Sequence, residues 1–105
     1  MEMVIELLTV PGCANEDAAI ELITTAIADT GVRATFGRTT VSSEEQAQER
    51  RFVGSPTILV NGTDPFERGD EQPALACRLY PTPAGLRGVP ALQDLREALK
   101  RAAAG

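Results

Sequence analysis

Residues 9–16 read Thr9-Val10-Pro11-Gly12-Cys13-Ala14-Asn15-Glu16. The Pro-Gly pair punctuates the chain and ends the element before it. Upstream, Met3-Val4-Ile5-Glu6-Leu7-Leu8-Thr9-Val10 is almost wholly apolar. It predicts a strand over 3–10, buried on both faces in the middle of a mixed or parallel sheet. Downstream, Ala19, Leu22, Ile23, Ala26, Ile27 and Thr30 recur at spacings of three and four. They predict a helix over 14–30, with Glu16 and Asp17 at its positive end and Gly31 as its left-handed stop. Cys13 therefore stands between a buried strand and a helix start. Free backbone N–H groups and the helix dipole stabilise a thiolate there. Cys13 is a candidate nucleophile, with Glu16 and Asp17 opposing ionisation by repulsion. The other reading of Cys13 is a small side chain that merely packs.

Further along, Val32, Ala34 and Phe36 alternate with Arg33 and Thr35 and predict a strand over 32–41. Gly37 marks a weak point or a bulge. Ser43-Glu44-Glu45-Gln46 is a capping box, so a helix begins there and ends near Phe52. Glu44, Glu45 and Glu49 form its wet face. Residues 57–61 predict a third strand, 63–73 a charged, solvated loop, 74–80 a fourth strand and 81–85 another loop. Pro90 opens a last helix with Leu92, Leu95, Ala98, Leu99 and Ala102 on its apolar face. The order is β-α-β-α-β-β-α. The first two crossovers predict parallel pairs, and the last two strands an antiparallel one.

Length and composition set the outer limits. A chain of 105 residues makes one domain, 1–105, and 43% hydrophobic residues suffice for one core. Such chains bury about 60–68% of their unfolded surface. A net charge of −5 repels phosphate and argues against nucleic acid or an anionic membrane as partner. Histidine is absent, which excludes Ser-His-Asp and Cys-His couples and His-ligated zinc. All but one of the ten basic residues are arginine, a bias of coding and not a phosphate site. The first residues lack a basic n-region, and no apolar run is long enough to span a membrane. A cytoplasmic location follows as the expectation, with Cys13 and Cys77 reduced.

The second informative stretch is Phe52-Val53-Gly54-Ser55-Pro56-Thr57-Ile58-Leu59-Val60. A proline heading a buried strand cannot donate to the ladder. A strand leading to a cysteine at a helix start, followed by Gly54-Ser55-Pro56-Thr57 at the head of the third strand, resembles the thioredoxin superfamily. The likeness covers essentially the whole chain. It implies a thioredoxin-like α/β fold, a four-stranded mixed sheet between helices. It also implies a cis Ser55-Pro56 bond facing Cys13 and a groove at Gly12, Ser55, Pro56 and Thr57. There an extended thiol partner pairs with the backbone in strand fashion.

The redox motif of that family is Cys-x-x-Cys. Here it reads Cys13-Ala14-Asn15-Glu16, with Glu16 in the resolving position. The resemblance is thus to a monothiol variant, whose mixed disulfide is resolved by glutathione or another thiol. Glutathione enters as a co-substrate, and no bound cofactor is implied. Cys77 is the alternative resolving thiol. On a regular fourth strand it lies about 10 Å back from Tyr80 at roughly 3.3 Å per residue. A disulfide needs Cα atoms within about 7 Å. A Cys13–Cys77 bond therefore requires a bent strand or a mobile loop; otherwise Cys77 is a buried, inert strand residue. Arg78 points to the opposite face and is not assumed to act on either thiol.

The motifs also resemble small bacterial thioredoxin-like proteins labelled as related to alkylmercury lyases, although no segment matches the catalytic segments of the lyase. Three functions remain open. One is a thiol-dependent redox protein acting through Cys13, alone or with Cys77, on a disulfide-bearing protein or small thiol. Another is a module binding soft ions or organomercurials through both thiolates. The third is a redox-silent scaffold.

Overall fold

The structure is a computed structural model that describes residues 2–105. Its centre is β1 (Met3–Thr9), where Met3, Ile5 and Leu7 are buried on one face and Leu8 on the other, while Val4 is exposed, so the burial on both faces that the composition predicts holds only in part. β2 (Ala34–Thr40) pairs with it in parallel, from Met3↔Ala34 to Thr9↔Thr40. β3 (Thr57–Val60) pairs with its other edge, from Ile5↔Val60 to Leu8↔Thr57, and runs antiparallel. The sheet order is β2-β1-β3, a mixed three-stranded sheet.

The pleat sends alternate residues of β1 to opposite cores. Met3, Ile5 and Leu7 join Ile58 and Val60 beneath α1 (Glu16–Thr30) and α3 (Leu92–Ala104). Those helices supply Ala19, Ile23, Ala26, Leu95 and Leu99. Leu8 goes to the other side, against Val41, Ala47 and Phe52 around α2 (Glu44–Glu49). Ser43 caps α2, its hydroxyl accepting from the Gln46 N–H at 3.1 Å, and the Gln46 side chain accepts from the Ser42 N–H. No helix among the described residues is long and apolar enough to cross a membrane.

Four expectations are corrected. The second crossover gives an antiparallel pair, not a parallel one. α2 has six residues and spans about 9 Å at 1.5 Å per residue. The seven residues of β1 span roughly 23 Å at 3.3 Å each. The chain also folds straight back after α2, with the Phe52 N–H on the Ala47 carbonyl. It therefore re-enters the sheet at the end where β2 stopped. Gly37 pairs with Glu6 in unbroken register and makes no bulge.

The fourth strand of the sheet is the third correction. Residues 74–79 form no ladder with β3. Their single bridge, Ser55↔Cys77, is parallel and therefore cannot continue into an antiparallel ladder. β4 (Tyr80–Thr82) instead forms a separate hairpin with β5 (Gly85–Arg87). Lastly, α1 and α3 each begin two residues later than the pattern predicts, at Glu16 and Leu92.

Glu6 ties the strands to α2. Its carboxylate accepts from Thr39 Oγ1 at 2.7 Å and from the Arg50 guanidinium. Burial works against the charge, but these hydrogen bonds and the Arg50 charge outweigh it, holding the Glu6 carboxyl below its ordinary value. A depressed carboxylate stabilises the fold above its unfolded pKa and loses that contribution as pH falls through its folded one. Glu6→Gln is therefore expected to lower stability at neutral pH and to flatten its acid dependence, as measured by urea titrations across the carboxylate range. An acid limb of the same slope in both proteins would count against this role.

Candidate functional site

Cys13 sits in the turn that leaves β1. Gly12 is exposed at φ +70°, a conformation that favours glycine. The Cys13 N–H donates to the Val10 carbonyl at 3.3 Å, and the Cys13 carbonyl accepts from Glu16 at 3.3 Å. Cys13 is half-buried and lies two residues before Asn15, the N-cap of α1. The Glu16 carboxylate pairs with Arg38 of β2 at 3.5 Å, which offsets some of its repulsion towards an anion at Cys13. On the other side of the turn, a β-carbon on Gly88 would collide with the Asn15 side-chain amide. The chain between β5 and α3 thus lies directly against the Cys13 turn.

The Val10 N–H leads to the second motif, donating to Ser55 Oγ at 3.1 Å. The Ser55–Pro56 peptide bond is cis. Ser55, Pro56 and Thr57 are all buried, and Thr57 Oγ1 donates to the Gly54 carbonyl at 2.6 Å. The Ser55 N–H donates to the Ala76 carbonyl at 2.7 Å, and the Ser55 carbonyl accepts from the Arg78 N–H at 3.0 Å. The backbone expected to hold an extended partner is therefore occupied by residues 76–78 of the same chain. Gly54, at φ +149°, makes that approach possible: a β-carbon there would stand 2.8 Å from the Arg78 β-carbon.

Arg78 locks this segment in place. It is 7% exposed. Its guanidinium donates to Asp64 at 2.7 Å, to the Phe66 carbonyl at 3.0 Å and to Thr57 Oγ1 at 3.2 Å. It lies 4.6 Å from the centre of the Tyr80 ring, and Phe66 meets Tyr80 edge-on at 5.5 Å. The Tyr80 hydroxyl donates to the Pro56 carbonyl. Burial disfavours the charge on Arg78, but the Asp64 hydrogen bond and surrounding negative groups raise its pKa. Breaking a buried pair of this kind costs about 3–5 kcal/mol, because one charge is left uncompensated.

The loop expected to be solvated is thus half structural: Asp64 and Phe66 face inward, while Glu67, Arg68 and Asp70 remain in water. Sequence reasoning missed Arg78, Asp64 and Tyr80 as a unit. The one available signal was alternation, which puts 78 and 80 on one side and 77 and 79 on the other. Cys77 and Leu79 are indeed exposed, so Cys77 is no buried strand cysteine. With Leu79, Leu86, Phe66 and Pro90, Cys77 lines a cavity of about 650 Å³ between the hairpin and the start of α3.

Both cysteines are free thiols held next to residues bonded to Ser55, Cys13 through Val10 and Cys77 through the bridge. Among the described residues no three metal-ligating side chains gather. Comparison with protein-family models, curated proteins and solved structures finds no match to the chain.

Burial pushes the Tyr80 phenol well above its ordinary value, against the pull of the Arg78 charge. A raised folded pKa stabilises the fold below the unfolded value, about 10, and is lost as pH rises through the folded one. Tyr80 is the chain's single tyrosine, so phenolate absorbance reads it alone. Folded protein is expected to stay protonated well beyond the value found for the chain in denaturant. Coincident titration curves would overturn the buried placement.

Proposed function

We propose that this chain is a thioredoxin-like, cytoplasmic thiol–disulfide exchange protein with Cys13 as its nucleophile. The observation that carries the reading is the junction between the Cys13 turn and Ser55, made by Val10. It joins the strand–cysteine–helix motif to the Gly-Ser-Pro-Thr motif, which lie far apart in sequence. The wider setting agrees with it: a central β1, a parallel β2, an antiparallel β3 and helices on both faces of the sheet.

The chemistry is a thiolate displacement. Cys13 Sγ, as the thiolate, attacks one sulfur of a disulfide. A new S–S bond forms to Cys13, the old one breaks, and the other half leaves as a thiolate that takes a proton from solvent. Glu16 cannot resolve the product, so a thiol from outside the motif must. Because the Ser55 backbone is already paired, the partner approaches from the exposed side, over Gly12 and the Leu79–Leu86 surface. Those two leucines are 61% and 59% exposed, an apolar area suited to contact. A small disulfide such as oxidised glutathione needs no strand pairing and serves as the probe.

The test follows glutathione release from oxidised glutathione by wild type, Cys13→Ser and Cys77→Ser. The initial release is expected to vanish in Cys13→Ser and to persist in Cys77→Ser. An unchanged initial rate in Cys13→Ser would sink the reading.

A further inference from the structure

We infer that Cys77 is the resolving thiol, carried on an intrachain strap that fills the edge a partner strand would otherwise use. This rests on the reading of Cys13 as nucleophile and adds the second half of its reaction. Ser55 is tied to the Cys13 turn: its hydroxyl takes the Val10 N–H, and the Val10 carbonyl takes the Cys13 N–H. Here the residue opposite Ser55 is Cys77. Two backbone hydrogen bonds fix it there, from the Ser55 N–H to the Ala76 carbonyl and from the Arg78 N–H to the Ser55 carbonyl.

The strap is held at both ends. The Ala74 N–H donates to the Phe52 carbonyl at 2.9 Å, and Arg78 is clamped by Asp64, Phe66 and Thr57. Between these anchors Leu75, Ala76 and Cys77 are exposed. Neighbouring strands run about 4.8 Å apart, and residues paired across a bridge share a face. Cys77 therefore lies on the face where Ser55 Oγ receives the Val10 N–H. From Val10, Cys13 is one turn away, a Cα span below about 7 Å. Cα separations in disulfides run about 4.4–6.8 Å. A Cys13–Cys77 bond therefore asks the Pro11–Ala14 turn, with its half-buried Cys13, and the three exposed strap residues to move towards each other. A thiol tethered this way competes at high effective concentration against any free thiol.

The balanced sequence has two displacements. Cys13 Sγ attacks a small-molecule disulfide and becomes a mixed disulfide, releasing the first small thiol. Cys77 gives its proton to solvent, and its thiolate attacks Cys13 Sγ. The Cys13–Cys77 bond forms, the mixed disulfide breaks, and the second small thiol leaves with a proton from solvent. Two protein thiols are oxidised and one small-molecule disulfide is reduced to two thiols.

The experiment equilibrates wild type, Cys77→Ser and Cys13→Ser with excess oxidised glutathione, quenches with acid and maps peptides by mass. Cys77 is exposed, so its serine variant keeps the fold. Wild type is expected to contain a Cys13–Cys77 cross-linked peptide with no glutathione on Cys13. Cys77→Ser is expected to hold glutathione on Cys13. Wild type retaining glutathione on Cys13 without the cross-link overturns the inference and leaves the exchange reading standing. No modification of Cys13 in either wild type or Cys77→Ser overturns both.

Discussion

Three hydrogen bonds meet at Ser55, and the arrangement of the site depends on them. Its hydroxyl takes the Val10 N–H, its own N–H goes to Ala76, and its carbonyl takes the Arg78 N–H. These bonds join the end of β1, the head of β3 and the segment before β4 at one residue. Ser55 is 1% exposed, so each unmade bond would strand a polar group away from water. Leaving a buried donor or acceptor unsatisfied costs about 1–3 kcal/mol. No buried side-chain polar atom among the described residues lacks a partner. The three segments are therefore held by satisfaction of polar groups as much as by apolar contact.

The strap is an expensive piece of chain to order, and the Arg78 cluster is what orders it. Residues 61–79 contain little that can enter a core, so apolar burial alone would leave them mobile. Arg78 answers this by drawing Asp64, Phe66 and Thr57 around one guanidinium and by lying against Tyr80. Tyr80 in turn reaches the Pro56 carbonyl. A buried ion pair is weak support for stability when set against an apolar replacement, but it fixes geometry strongly. Here the geometry fixed is the backbone of residues 76–78 against Ser55, with Cys77 left in water. The side of the segment that packs and the side that presents the thiol are separated by the period of an extended chain.

How far the fold could be read from the chain depended on what each element buries. β1, α1, β2, α2, β3 and α3 are legible because their apolar period or capping residues act within a few neighbours. The direction of β3 was not, since it depends on α2 being too short to recross the sheet. Residues 74–80 look like a strand by composition. Their course is set instead by Arg78 meeting Asp64, and no local pattern announces a contact between residues fourteen apart in a loop. At the site, Cys13 and Gly54-Ser55-Pro56-Thr57 stood out because a cysteine at a helix start and a proline at a strand head are locally unusual. Cys77 was legible as a second thiol, but its exposure and its place opposite Ser55 were not, because they arise only from the parallel bridge.

The central claim is that the Ser55 backbone is closed by residues 76–78 in the protein as it exists in solution. Amide hydrogen exchange at Ser55 and Arg78, followed by NMR on the reduced full chain, addresses it most directly. Both N–H groups donate in the strap, so both are predicted to exchange slowly, on the scale of the β1 amides. Exchange at Ser55 and Arg78 as fast as at the exposed amides of residues 67–70 would contradict the account. It would return the Ser55 edge to an outside partner.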